Sequence, residues 1–268
     1  MQFICLCPTY GRPSLVRNTL ALFLAQQLHD EDAAHLVIFD DANQIAEQAS
    51  RHNDGRLQHT WQVLNAPEWI PLPRKYNALL DRIGICLSPD AWYVVWDDDD
   101  VYLPWHLQSI RTAVENEPHA RWTHPSSVWS TYCSDPLVPL AKRLHTEDTA
   151  GRFHGSAAIR GDLLAELSGW PDTMLATFDQ QQLARLAQHP CADPNRWSIA
   201  SYVYRWADTG KHHASGAIDD GQYRQPPIQE LDEDGQPTRI ELLTGWLDGS
   251  TRTILSTLGL TGQDKCVP

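Results

Sequence analysis

The stretch YVVWDDDDVYLP, residues 93–104, places four consecutive carboxylates between two apolar runs. Adjacent like charges repel, and burying them unpaired is costly. A hard divalent cation relieves that repulsion. Mg2+ and Mn2+ take oxygen ligands and often share them with substrate phosphates. Asp97, Asp98, Asp99 and Asp100 behind an apolar strand therefore point to a metal–phosphate site, where a cation would neutralise a departing diphosphate. The plainer reading is a solvated acidic turn or a helix N-terminus, where Asp also suits the helix dipole. Other residues able to do chemistry are PTYGRP at 8–13, Asp40-Asp41, Asp179 and the His-rich GKHHASG at 210–216.

The elements that must position these residues follow from apolar periodicity. QFICLCPTY, AHLVIFDDAN, RLQHTWQVLNAP and AWYVVWDDDD read as strands. Between them, SLVRNTLALFLAQQL reads as a helix with Ser14 as N-cap. NQIAEQASRHN reads as a second helix, LPRKYNALLDRIGICL as one starting near Pro73, and LPWHLQSIRTAVENE as another. Strands alternating with helices predict an α/β fold with a mostly parallel sheet, and continuous apolar strands predict that both faces are covered. Ligands of such sheets bind beyond the carboxyl ends of the strands. PTYGRP, Asp40-Asp41 and the Asp quartet all stand at such ends, so three strand ends should form one pocket edge.

The second half is less regular. ARWTHPSSVWSTYC reads as strand, HGSAAIRGDLLAELSGW as strand then helix, and DQQQLARLAQHP as a helix from about Asp179. IASYVYRW reads as a strand running into the His-rich loop. AIDDGQYRQPPIQELDEDGQPTRIE is a surface connection to a terminal helix around GWLDGSTRTILSTL.

With 268 residues, 42% hydrophobic, the chain suits one large domain or two closely packed subdomains. The formal net charge of −13 argues against a phosphate-backbone partner, which normally meets a basic face. The six Cys form no CxxC pair and read as reduced thiols rather than zinc ligands, with Cys5 and Cys7 on one strand face. MQFICLCPTYGRP lacks the basic start of a signal peptide, and no apolar stretch is long enough to span a membrane. The expectation is a soluble cytoplasmic protein.

The order of these motifs resembles family 2 glycosyltransferases with the GT-A fold. ICLCPTYGRPSLVRNTLALFLAQ is similar to their first strand, nucleotide loop and first helix. LVIFDDANQ is similar to the strand whose acidic pair approaches the nucleobase, and PRKYNALLD to the helix entry carrying a basic residue and Asn. YVVWDDDDVYLPWHL is similar to the metal-binding strand end, and HGSAAIRGDLLAELSGWPDTMLATFDQQQLARL to the acceptor-side segment ending in the catalytic acid. The resemblance spans about residues 3–215.

It implies a nucleotide-sugar half over 1–115, an acceptor half over 116–215 and a C-terminal extension over 216–268, all in one continuous GT-A domain. It implies a metal-dependent, inverting transfer from a nucleotide-sugar donor, a UDP-sugar in expectation. The acceptor stays open among glycan, lipid, protein, small molecule and modified nucleobase. By residue, Pro8, Thr9, Tyr10 and Arg12 would line the nucleotide. Asp41, or Asp40 in its place, would bind the base, Asp98 would face the ribose, and Arg74 or Lys75 would contact the diphosphate. Asp99 would hold Mn2+ or Mg2+, with Asp97 as the alternative register and His213, or His212, as a late ligand. Asp179 would be the catalytic base, although Phe178 stands where the family has a first acid; the plainer reading of Asp179 is a helix N-cap. Glu147 and Asp148 are the reserve bases. His154 and Trp170 would border the acceptor, whereas His106 and His124 read as structural.

Two other classes compete. Asp97-x-Asp99-x-Val101 satisfies the D-x-D-x-T/V pattern of haloacid-dehalogenase-like phosphohydrolases, with Asp219-Asp220 as their later acidic pair. That class carries its Asp strand first, whereas here three strands precede it. A non-catalytic nucleotide- or glycan-binding module would keep the pocket without needing Asp179.

Overall fold

A computed structural model of the chain describes residues 1–49, 58–83, 88–132, 144–206, 224–242 and 246–260. The strands are β1 Gln2–Thr9, β2 Ala33–Asp40, β3 His59–Asn65, β4 Trp92–Val95, β5 Val101–Tyr102 and β6 Trp122–Thr123. They continue with β7 Ser127–Tyr132, β8 Leu144–Asp148, β9 Ala158–Arg160, β10 Cys191–Ala192 and β11 Tyr202–Trp206. The helices are α1 Pro13–Leu24, α2 Leu72–Ile83, α3 His106–Asn116, α4 Gly161–Glu166, α5 Phe178–Leu186 and α6 Gly249–Thr257.

Seven strands form the main sheet in the order β10-β6-β9-β4-β1-β2-β3. β3, β2, β1 and β4 are mutually parallel, and β9 runs antiparallel between β4 and β6. The apolar runs of β1 and β4 arise because the sheet is covered on both faces. Phe3, Cys5 and Cys7 enter one core with Val16, Leu20 and Phe23 of α1, and Ile4 and Leu6 enter the opposite core with Tyr76 and Leu79 of α2. Cys5 and Cys7 thus share a face as expected, both buried as free thiols. The register sets Thr9 beside Asp40 and Asp40 beside Asn65, so the parallel strands end level.

A second, four-stranded sheet has the order β5-β11-β7-β8. β4 leaves the main sheet at Val95 and β5 enters the second sheet at Val101. The Asp quartet is therefore the link between the two sheets.

Two local expectations fail. Ser14 does not cap α1: the helix starts at Pro13, whose fixed φ suits a first helical position. The backbone N–H and hydroxyl of Ser14 instead donate to the Glu230 carboxylate. Residues 43–49 are not helical. The Asp40 carboxylate accepts N–H bonds from Ala42, Gln44 and Ile45, Asn43 turns to φ 54°, and Ile45 then bridges Ile240. Those N–H groups are spent before a helix can use them. The described part of the acidic connection, 224–241, is at the surface but tied down. Gly11 O accepts the N–H groups of Gln229 and Glu230, and Gln44 Nε2 donates to the carbonyls of Glu230 and Thr238. Gly11 suits this approach: its φ is +69°, and a Cβ there would meet Ile228 Cα at 3.2 Å.

Candidate active site

The carboxyl ends of β1 and β4, the start of α5 and the end of β11 enclose a cleft of about 450 Å³. Its lining includes all four residues of the Asp quartet, but they do not stand alike. Asp97 and Asp99 are partly open to the cleft, whereas Asp98 and Asp100 are buried. Each carboxylate has a protein partner, and Arg12 serves two of them. Tyr76 OH donates to Asp97 at 2.8 Å. Asp98 takes Thr9 Oγ1 at 2.6 Å and Arg12 Nη2 at 2.6 Å, tying the quartet to the end of β1. Arg12 Nη1 reaches Asp99 at 3.0 Å. Asp100 accepts from Tyr202 OH, and from the Arg205 N–H at 3.0 Å, tying the quartet to β11. The even-numbered pair thus clamps the turn between the two sheets, while the odd-numbered pair faces the space where a ligand can sit.

The charge on this turn is costly. Burial pushes the Asp97 carboxyl up to about 7, and the neighbouring Asp99 adds to it. Burial also raises Asp98 to about 6, against the pull of Arg12, and raises Asp100 well above the ordinary carboxylate range. Burial disfavours the charge of Arg12, but Asp98 and Asp99 outweigh it and its pKa rises. Among the described residues no three His, Cys, Asp or Glu side chains are grouped as a complete metal cage. Two carboxylates facing a cleft nevertheless fit Mg2+ or Mn2+, which commonly take one or two carboxylates and fill the remaining positions with phosphate oxygens and water. The elevated carboxyl pKa values mark where an added positive charge would be most favourable. Asp97 and Asp99 would hold such an ion. His212 and His213 lie outside the described residues.

Pro8, Thr9, Tyr10, Arg12 and Lys75 line the same cleft. Lys75 is buried and its Nζ reaches Asp41 at 2.7 Å, Thr9 O at 3.2 Å and a point 5.5 Å from the Tyr10 ring centre. Asp41 is buried behind it and also accepts the Ile70 N–H at 2.7 Å. Burial raises its pKa against the pull of Lys75. Asp40 is spent on the turn described above. The structure places Arg74 outside the cleft, in an exposed pair with Asp172. Asp179 lines the cleft from the first turn of α5, where the helix dipole favours negative charge, and its Oδ1 accepts the Gln180 N–H at 2.8 Å. His154 lines the floor, and Trp170 lies buried beneath it.

Glu147 stands on β8 and accepts from Ser130 Oγ and from Trp206 Nε1 at 3.0 Å. Asp148 closes that strand, its Oδ1 taking the Ala150 N–H. His106 is buried with Nδ1 on Ser201 Oγ, and His124 Nε2 meets Arg152 O at 2.8 Å, as structural histidines do. Asp219 and Asp220 lie outside the described residues.

Sequence reasoning passed over Tyr76, Gly155 and Arg205. Tyr76 and Lys75 lie on the apolar stripe of α2, and a Lys on such a stripe signals a buried ion pair. Gly155 carries no local signal: a Cβ there would stand 2.6 Å from both Asp97 Oδ2 and Tyr202 OH. Arg205 donates its Nε to Asp99 O, and its Nη1 reaches Asp248 at 3.5 Å.

No family model matches the sequence, and no curated protein matches it. Solved structures do match in fold. S. aureus TarS 1-349 in complex with UDP aligns at TM-score 0.55 and 14% identity, over 77% of this chain and 61% of that one. The same protein in complex with UDP-GlcNAc aligns at 0.54 and 14%, over 77% and 59%. The mannosyltransferase PcManGT from Pyrobaculum calidifontis, in complex with GDP-Man and Mn2+, aligns at 0.51 and 15%, over 80% and 59%. The chain thus spans about 60% of the length of the structures it matches. With its mostly parallel central sheet, broken by one antiparallel strand, this chain has the GT-A-like fold of glycosyltransferases.

Proposed function

We propose that this chain is a metal-dependent, inverting glycosyltransferase of the family 2 type, moving a sugar from a nucleoside-diphosphate sugar to a hydroxyl acceptor. The observation that carries this reading is the split of the quartet. Asp97 and Asp99 face the cleft that Asp179 also lines, while Asp98 and Asp100 fix the turn. The fold neighbours in complex with UDP, UDP-GlcNAc, or GDP-Man and Mn2+ support a nucleotide-sugar donor.

On this reading Lys75 and Tyr10 line the nucleotide side of the cleft, with Asp41 behind Lys75. Mn2+ or Mg2+ at Asp97 and Asp99 would supply charge neutralisation for the diphosphate. The Asp179 carboxylate takes the proton of the acceptor hydroxyl. The freed oxygen forms a bond to the anomeric carbon as the carbon–oxygen bond to the diphosphate breaks. The bonding pair leaves with the diphosphate, and the anomeric configuration inverts.

The test is thermal stability against UDP and GDP, each with and without Mn2+, followed by transfer assays with the matching sugar nucleotides. A ligand that binds only the folded state at a hundredfold excess over its Kd adds about 2.7 kcal/mol. The expected result is an Mn2+-dependent rise in Tm that Asp99→Asn abolishes. Asp179→Asn should keep the rise and lose about 10²–10⁴-fold in transfer. Retained transfer in both variants overturns the assignment. Phosphate release from simple esters with no nucleotide response favours the phosphohydrolase instead.

A further inference from the structure

Trp170 sits beneath the cleft rather than in it, yet it controls a group that is in it. Its indole Nε1 stands 2.8 Å from His154 Nε2. Indole nitrogen only donates, so His154 Nε2 must be the lone-pair nitrogen, and the neutral ring carries its proton on Nδ1. Trp170 cannot easily give way. Its ring stacks on Tyr76 at 4.7 Å, and the Asn77 amide grips its backbone at both N–H and C=O, at 2.8 and 3.0 Å. His154 is equally fixed. Its short 3-10 turn is closed by Ser156 Oγ on Phe153 O, and its ring meets Tyr76 and Phe178 edge-on. Burial keeps the imidazole neutral, pushing its pKa down to about 3, with His124 adding to the shift.

The other ring nitrogen is the one available to a ligand. No described residue takes a hydrogen bond from His154 Nδ1, and that atom is not among the buried polar atoms sealed from solvent. His154 lines the cleft, and its surroundings fix where. Its edge-on neighbours link it to both ends of the proposed chemistry: Tyr76 holds Asp97, and Phe178 directly precedes Asp179. Asp97, His154 and Asp179 all line the one cleft in which the transferred sugar must lie.

We infer that His154 is a fixed hydrogen-bond donor to an oxygen of the transferred sugar, a hydroxyl or an acyl carbonyl, and that Trp170 is the positioning residue that sets its tautomer. This rests on the glycosyl-transfer reading above. It also excludes His154 as the base, because its one lone pair is turned toward Trp170 and away from the acceptor.

The experiment has two arms. Long-range 1H–15N NMR of the wild-type protein reads the tautomer directly. The Nδ1–H form at neutral pH is expected, with Trp170→Phe shifting the ring toward the Nε2–H form. Nε2–H in the wild type overturns the proposal without reference to any ligand. In the second arm, calorimetry with Mn2+ compares UDP with UDP-GlcNAc and GDP with GDP-mannose, using the pair that the wild type binds. His154→Leu should weaken the sugar nucleotide about tenfold and leave the bare diphosphate unchanged. His154→Asn, which can place an amide N–H near the Nδ1 position, should stay within about threefold of wild type. Equal weakening of both ligands, or of neither, overturns the sugar contact while leaving the nucleotide site intact. Failure of the wild type to bind either diphosphate overturns the glycosyl-transfer reading and the sugar contact with it.

Discussion

Gly155 offers the sharpest test of how the cleft is built. A Cβ at this position would stand 2.6 Å from Asp97 Oδ2, 2.6 Å from Tyr202 OH and 3.3 Å from Tyr202 Cζ, against a floor near 3.0 Å for real Cβ contacts. Each oxygen would have to retreat by about 0.4 Å just to reach that floor, and neither is a loose end. Asp97 is held by Tyr76 OH, and Tyr202 OH by Asp100. Overpacking of this kind costs about 1–3 kcal/mol. The entropy that Ala removes from the unfolded chain returns about 0.4–1 kcal/mol. Gly155→Ala should therefore lower Tm by several degrees, at roughly 3 °C per kcal/mol for a chain of this size. Its larger effect should be on activity. Displacing a reacting group by 1 Å costs on the order of 100-fold, so a sub-ångström shift of Asp97 should cost about 10-fold or more per folded molecule. Gly161→Ala is the control. Its Cβ would stand 2.0 Å from the Ser88 carbonyl, remote from the cleft lining. It should lose at least as much stability and retain its activity when folded. Calorimetric melts and transfer rates on both variants decide the matter. Wild-type Tm and wild-type turnover in Gly155→Ala would refute the claim that Asp97 is locked by this turn.

Other outcomes follow from single contacts. Lys75→Met leaves Asp41 buried without its cation and should cost about 3–5 kcal/mol in urea melts, and adding Asp41→Asn should recover part of that loss. His106 is buried and neutral, burial pushing its pKa down to about 3 from the ordinary 6.5 of an imidazole. Its contribution is full above pH 6.5 and is lost as pH falls toward 3. Between pH 7 and 5 the wild type should lose about 2 kcal/mol more than His106→Phe in denaturant melts. Glu230→Ala frees the N–H and hydroxyl of Ser14 at the start of α1 and should cost about 1 kcal/mol, measured the same way.

The parallel half of the fold was legible because β1, β2 and β4 are covered on both faces and so read as unbroken apolar runs. The strand ends carrying Thr9, Asp40 and Asp97 could be placed on one edge by that fact alone. Residues 43–49 misled because their helical composition is overridden by Asp40 and by Ile240, a partner almost two hundred positions away. The choice between Arg74 and Lys75 was readable in principle. Only Lys75 shares a helix face with Leu72 and Leu79. The division of labour within the quartet was not readable, since four identical side chains differ only in what the fold brings to them. Thr9, Arg12, Tyr76, Tyr202 and Arg205 reach those four carboxylates from both sides of the chain. The role of Gly155 likewise exists only once β9 is paired with β4.

The clamp at Asp98 and Asp100 has a consequence for the order in which the molecule forms. Thr9 meets Asp98 across 89 residues, and Arg205 meets Asp100 across 105. Each closure pays its loop entropy before the contact repays it. The main sheet can bring in the first partner, but the second arrives only when β11 has docked on β5. Until then Asp100 lacks the Tyr202 hydroxyl and Arg205 N–H that hold it, and the turn is fixed from one side only. The cleft should therefore be among the last features to appear during refolding. Nucleotide and Mn2+ added to a refolding chain should leave the early phases untouched and act on the final one. Recovery of binding then becomes a clock for the joining of the two sheets.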